Sequence, residues 1–98
     1  MGHEGREPVS VRAEFESAVF PHLEAMARLA RSLLRGNQAD AQDLVQDAAL
    51  RAFRAFPRFQ PGTNLRAWLF RILRNTYVDL LRRKGRRAEL AESLETAP

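Results

Sequence analysis

Apolar residues recur along the chain at the three-to-four-residue spacing of α-helices, in three stretches separated by glycine and proline. In the first, Phe15, Val19, Leu23, Met26, Ala30 and Leu33 form one stripe. It predicts helix from about Ser10 to Arg35, with Pro21 marking a kink or a new start. Gly36 and Asn37 stop this helix, because both accept the left-handed conformation common at helix C-termini. The second stretch carries Leu44, Val45, Ala48, Ala49, Ala52, Phe53 and Phe56 as a continuous stripe. Asp40 is the expected N-cap, Asp43 complements the helix dipole in the first turn, and Pro57 halts the helix after Phe56. The third stretch opens at Thr63 or Asn64, either of which suits an N-cap, and extends to about Lys84. Leu65, Trp68, Leu69, Ile72, Leu73, Thr76 and Leu80 face one way, and Arg71, Arg74, Asn75, Val78 and Arg82 face the other. Gly85 is expected to end it.

No segment alternates with the two-residue period of a strand, and no repeat is present. The pattern predicts an all-α fold, a small helical bundle of three to four helices with short connections. Residues 1–9 read as a flexible lead, 10–87 as one domain and 88–98 as the start of a linker. With 98 residues the chain has room for a single modest core.

Composition narrows the function classes. The chain has no cysteine, which excludes disulfides and thiolate metal sites, and its two histidines, His3 and His22, lie far apart in sequence. No apolar run approaches the roughly 20 residues needed to cross a bilayer, and Met1–Arg12 lacks the apolar segment of a signal peptide. A soluble cytoplasmic protein with no membrane partner is expected. The net charge of +4 is unevenly spread. Residues 1–57 carry seven arginines against eight acids, whereas residues 58–88 carry nine cations against the single Asp79, and 89–98 add three glutamates. A basic block within one amphipathic segment points to a polyanion, most often nucleic acid.

Nothing in the sequence supports catalysis: there is no phosphate-cradling glycine loop, nucleophile elbow or His-Glu metal motif. Asp43 and Asp47 have the spacing of paired metal carboxylates. With no histidine or second acidic pair nearby they read as an exposed helix face, and no metal or cofactor is expected. The informative segment runs from Phe59 to Asn75, where a stiff Pro- and Gly-containing loop leads into a helix that interleaves aromatics with arginines. Single-stranded nucleic acid is held by such combinations, cations along phosphates and flat rings against bases. Trp68 falls on the apolar stripe and reads as core, whereas Phe70 points away from it as a candidate surface contact.

Asp43-Leu-Val-Gln-Asp47, a helix ending in Arg-Ala-Phe, and then Phe59…Trp68-Leu-Phe-Arg-Ile…Asn75 resemble region 2 of bacterial sigma factors, most closely the extracytoplasmic-function group. Within that group Pro61-Gly-Thr-Asn-Leu-Arg-Ala-Trp-Leu-Phe70 looks like the general-stress-response branch of alphaproteobacteria. The resemblance covers roughly residues 12–87. It implies that Asp43, Gln46 and Asp47 dock on the clamp helices of the RNA polymerase β′ subunit. It implies a pocket for a base flipped from the promoter minus-ten element, built from the Phe59–Asn64 loop, with Phe59, Gln60, Thr63 and Asn64, together with Asn75. Arg66, Arg71, Arg74, Arg82, Arg83 and Lys84 would then contact phosphates of the melted non-template strand, supplying affinity and register rather than sequence information.

The implied function is transcription initiation without enzymatic activity, with an anti-sigma factor as a further expected partner. Complete members of the family continue into region 4, a helix-turn-helix that reads the minus-thirty-five element. The present chain stops at Pro98 and is expected to be a domain fragment. Two rivals remain. A sigma-mimic domain would sequester an anti-sigma factor without binding DNA, but needs neither the basic third helix nor the loop. A duplex-binding helix-turn-helix joins its helices by about three to four residues, a shorter turn than Pro57–Thr63.

Overall fold

The computed structural model describes residues 7–96, and all regular structure within them is helical. Helix α1 (Glu7–Val19) leads through a 3-10 turn, Phe20–His22, into α2 (Leu23–Leu33). Then come α3 (Gln38–Ala55), a second 3-10 turn at Phe56–Arg58, and α4 (Leu65–Thr96). Pro21 and Pro57 each sit at the start of a 3-10 turn, where a missing N–H costs nothing and the fixed φ suits the geometry. The expected kink at Pro21 is thus a genuine break between two helices. Of the lead expected over 1–9, residues 1–6 lie outside the described residues. Residues 7–9 belong to α1, which accommodates Pro8 in its first turn.

The core is one cluster formed by the predicted stripes. Phe15 and Val19 of α1, Met26 and Ala30 of α2, Ala41, Leu44, Ala48 and Ala52 of α3, and Leu69 and Leu73 of α4 are buried together. Helix α3 lies centrally, packed on both α2 and α4. Its alanines at 41, 48 and 52 let the neighbouring helices approach closely. Thr76 is buried among apolar side chains at 1% exposure, and its hydroxyl is satisfied by donating to the Ile72 carbonyl at 2.7 Å. Tyr77 donates to the Leu33 carbonyl at 3.4 Å, tying α4 to the end of α2.

Two expected boundaries move. The N-cap of α3 is Asn37 rather than Asp40. The Asn37 Oδ1 accepts from the Asp40 N–H at 3.1 Å, and its Nδ2 donates to Asp40 Oδ2 at 2.9 Å. Asp40 is therefore the acidic partner in the first turn, and Asn37 both follows the α2 stop and opens α3. The chain turns there through Gly36, at φ +77°, a backbone conformation open to glycine without strain. At the other end, α4 does not stop at Gly85 but runs to Thr96. Gly85 is absent from the positive-φ residues, so it lies within the helix, and one interior glycine costs only about 1 kcal/mol against flanks rich in Arg, Leu, Glu and Ala.

Candidate functional site

The loop between α3 and α4 is held from both ends. Phe59 stacks nearly parallel to Phe56, with centroids 6.2 Å apart and 5° between planes, and lies 5.0 Å from Trp68. Phe56 in turn meets Phe15 edge-on at 5.2 Å, so a chain of rings links α1, the loop and the start of α4. Gln60 to Thr63 closes a turn in which the Thr63 N–H donates to the Gln60 carbonyl at 3.3 Å and the Thr63 hydroxyl to the same oxygen at 2.6 Å. Gly62 supplies the φ of +88° that this turn needs. Asn64 Oδ1 accepts from the Ala67 N–H at 3.0 Å, which settles the α4 cap in favour of Asn64 over Thr63. Phe59 is half-buried, and Gln60, Thr63 and Asn64 are exposed along its rim.

Asn75 lies eleven residues beyond Asn64, three helical turns plus about 20°, so the two share a face of α4 at heights about 16 Å apart. They occupy one surface but not one enclosed pocket. Arg71, Arg74 and Asn75 are exposed together on that surface, as their spacing predicts. Arg66 is exposed in the first turn of α4, its guanidinium 5.5 Å from the centre of the Phe70 ring. Phe70 departs from the sequence expectation: it is half-buried and packs against the edge of the core, because the neighbouring α4 stripe is wider than a single row.

The acidic-amide group of α3 stands on a different edge. Asp43 and Gln46 are exposed, Asp47 is half-buried, and all three line a groove of about 340 Å³ between α3 and α4, with Leu80 and Arg83 on the far wall. Two cations expected on the phosphate-binding face turn toward this edge. Arg83 reaches to 3.9 Å from Asp47, and Lys84 to 3.2 Å from Asp40. Asp43 has no ion-pair partner among the described residues. The fourteen candidate residues therefore divide into a loop rim with an arginine face, and a groove where acids of α3 meet Arg83 and Lys84 of α4.

A contact missed by sequence reasoning ties the same two helices. Arg51 Nη1 donates to Asp79 Oδ2 at 2.8 Å, and Arg82 approaches the other oxygen at 3.9 Å. That hydrogen bond from Arg51, opposed by desolvation and reinforced by the surrounding positive charge, holds the Asp79 carboxyl below its ordinary value. The signal was available, since Asp79 is the only acid in a block of nine cations. No group of three or more potential metal-ligating side chains occurs among the described residues, and no helix among them is long and apolar enough to cross a membrane.

Residues 19–87 match the family model described as Sigma-70 region 2. An ECF RNA polymerase sigma factor SigE of Mycolicibacterium smegmatis is 43% identical over 72 residues, covering 74% of this chain and 27% of that protein. An ECF RNA polymerase sigma factor EcfG of Rhodopseudomonas palustris is 45% identical over 83 residues, covering 85% and 43%. Among solved structures, the sigma factor RpoE in complex with the anti-sigma factor NepR, from Bartonella quintana, superposes with a TM-score of 0.73 at 35% identity. The match covers 82% of this chain and 49% of that one. The chain thus spans less than half the length of these relatives.

Proposed function

The chain belongs to the Sigma-70 region 2 family, and from that membership we propose that it acts in transcription initiation by joining RNA polymerase core to the melted minus-ten strand of a promoter. Asp43, Gln46 and Asp47 dock on the β′ clamp helices. The Phe59–Asn64 rim and Asn75 meet bases of the non-template strand, and Arg66, Arg71 and Arg74 run along its phosphates. The chain needs no cofactor for this and catalyses nothing itself; captured bases offset an unstacking cost of about a few kcal/mol per step. Its place of action is the cytoplasm, where the polymerase works.

One observation supports this division above the rest: the acidic edge of α3 and the arginine face of α4 are both solvent-facing yet separate, on two helices locked by a common core. A protein that must hold a protein partner and a polyanion at once needs two such surfaces. A sigma-mimic, which binds no DNA, has no use for the second. The relative captured with NepR makes an anti-sigma factor a natural further partner here, covering the α3 groove in competition with β′.

Charge reversal at the exposed Asp43, Asp43→Arg, tests the assignment in a pull-down on the β′ clamp helices. Capture falls while far-UV circular dichroism is unchanged, and unchanged capture rejects the docking face. On the DNA side, Asn75→Ala flattens discrimination among single-stranded minus-ten oligonucleotides by about 1–3 kcal/mol at one position. Arg74→Ala weakens every sequence alike and makes the salt dependence shallower.

A further inference from the structure

Of the sixteen cationic side chains in the sequence, fifteen are arginines and one, Lys84, is a lysine. The two differ in chemistry as well as in shape. A guanidinium stays charged and is not a nucleophile at neutral pH. A lysine nitrogen becomes one once it sheds a proton, and acylation then removes its charge. Position 84 is therefore the one place in the basic block of α4 where charge can be taken away by acylation.

Lys84 stands where α4 leaves α3, with about half of its side chain open to solvent. Its Nζ donates to Asp40 Oδ2 at 3.2 Å, and the same oxygen accepts from Asn37 Nδ2 at 2.9 Å. Asn37 also caps α3 through the Asp40 N–H at 3.1 Å, so the carboxylate is fixed beside the amine by its own helix end. On α4 itself Arg87 lies three residues further on, a neighbour on the helix surface. It carries no ion pair among the described residues. One exposed point thus holds a proton acceptor, a nucleophilic nitrogen and an unpaired guanidinium, the group that binds phosphate oxygens two at a time. An ion pair that only joined α4 to α3 would not need a lysine, since Arg83 makes such a contact with Asp47 in the next position.

We propose that Lys84 is an acylation site whose donor is an acyl phosphate. Arg87 holds the phosphate of the donor, and the Lys84 ammonium passes one proton through Asp40 to solvent. The amine forms a C–N bond to the acyl carbon as the C–O bond to phosphate breaks. The second nitrogen proton leaves with the phosphate as hydrogen phosphate, and nothing is oxidised or reduced. The resulting amide has no charge with which to pair Asp40. Two properties change together. The exposed part of α4 keeps only Arg83 with Asp47, at 3.9 Å, as an ion pair to α3. Asp40 also joins Asp43 as a carboxylate without a cation on the α3 wall of the groove.

Acetyl phosphate incubated with the 98-residue chain, followed by peptide mass mapping, tests this, because the α-amine of Met1 is the only other amine present. Lys84 acquires one acetyl group. Asp40→Asn and Arg87→Gln, each shown folded by circular dichroism, lower that labelling about two- to fivefold, the range of surface charge interactions. With acetic anhydride, a neutral donor that releases no phosphate, Arg87→Gln labels like the parent chain. In the acetylated chain amide hydrogen exchange at residues 86–95 speeds up about two- to fivefold while exchange in the middle of α3 is unchanged. Lys84→Arg keeps the charge, and after the same treatment it exchanges like the untreated parent. An unlabelled Lys84 under conditions that acetylate Met1 overturns the proposal. So does labelling that rises in Asp40→Asn, which shows the ion pair to shield the amine rather than activate it. An equal loss with both donors in Arg87→Gln removes the phosphate-holding role, and labelling by acetyl-coenzyme A that matches acetyl phosphate and ignores Arg87 makes the donor a thioester; either result overturns the acyl-phosphate assignment.

Discussion

Helix α4 is two structures in one. From Leu65 to Leu80 it is a packed wall of the core, with Leu69 and Leu73 at 0% exposure and Thr76 at 1%. From residue 81 to 95 every residue is exposed, including Leu90 at 60% and Leu94 at 68%, and Arg83 and Lys84 make its last ion pairs with α3. The backbone does not register the change, since both halves belong to one 32-residue helix about 48 Å long. Helix formation and packing are therefore separable here. The first half is helical because its apolar stripe is buried. The second is helical because it grows from a helix already nucleated, and elongation by Arg, Leu, Ala and Glu avoids the nucleation cost that leaves an isolated segment of about 12 residues marginal. The proposed roles follow the same division: the packed half carries the loop and the Arg71–Asn75 face, whereas the exposed half carries cations only as far as Arg87 and glutamates beyond it.

The largest effect that separates the halves is a truncation in each. Leu73→Ala opens a cavity at the centre of the α3–α4 contact and lowers stability by about 2–5 kcal/mol. Leu94→Ala removes a side chain that touches no core and changes stability by no more than about 0.5 kcal/mol. Urea denaturation followed at 222 nm measures both, and a comparable loss for Leu94→Ala contradicts the exposed placement of the second half.

Next in size is the cap. Asn64 sits among the loop residues assigned to base contact, yet its Oδ1 is already engaged by the Ala67 N–H at 3.0 Å. Asn64→Ala costs about 1 kcal/mol of stability whether or not DNA is present. Thr63→Val keeps the α4 cap and loses the 2.6 Å hydroxyl contact to Gln60, so it loosens the loop with a smaller loss. Denaturation in the absence of DNA separates the two, and equal losses show that Thr63 carries part of the cap.

Gly85 offers a smaller effect in the opposite direction. A methyl group there meets nothing within 4 Å, and the residue already has helical backbone, so Gly85→Ala stabilises the exposed half by up to about 1 kcal/mol. The global unfolding midpoint moves little, because the core does not depend on this segment. Amide hydrogen exchange at residues 86–95 slows in the variant while exchange in α3 stays as it was. Slower exchange throughout the chain shows the two halves to be one cooperative unit.

Sequence pattern was informative wherever burial imposed a period. The three apolar stripes, the break at Pro21, the turn at Pro57 and the exposed arginine face of α4 follow from residue spacing, because a helix that buries one side must repeat every 3.6 residues. It was uninformative where no burial is at stake. The run of α4 past Gly85 depends on a balance of propensities close to zero, and glycine punctuates a chain only where something else already disfavours the helix. The Asn37 cap was hidden for a different reason: Asn37 and Asp40 both suit an N-cap, and only the side-chain geometry shows which one opens the helix. Contacts between distant residues were the least legible. Arg51 with Asp79 spans 28 positions and Lys84 with Asp40 spans 44, and no local pattern pairs them. For this reason the six cations grouped on sequence as one phosphate-binding set divide in space, with Arg83 and Lys84 drawn to the acids of α3.

The smallest effect concerns pH and the point where the packed half of α4 ends, where Arg51 of α3 holds Asp79. The Arg51 hydrogen bond, with the positive charge of Arg82 and Arg83 added to it, favours the ionised carboxylate in the folded chain and sets its pKa below the ordinary aspartate value. In the unfolded chain that partner is gone and the ordinary value returns, near 3.9. The unfolded state therefore binds the proton more readily, and stability rises with pH across this interval. The contribution is complete above the unfolded-state value and is lost as pH falls through the lower folded-state value. Solvent screening at this partly exposed pair keeps it small. Asp79→Asn is thus expected to melt slightly below the parent chain between about pH 5 and pH 7. The two melting curves converge below about pH 4, where the parent loses the same charge by protonation. Thermal midpoints taken from pH 7 down to pH 2 show this convergence. A difference that stays constant across the series assigns the loss to the shape of the side chain rather than its charge. It would also remove the electrostatic tie between α3 and α4 at the end of the packed half.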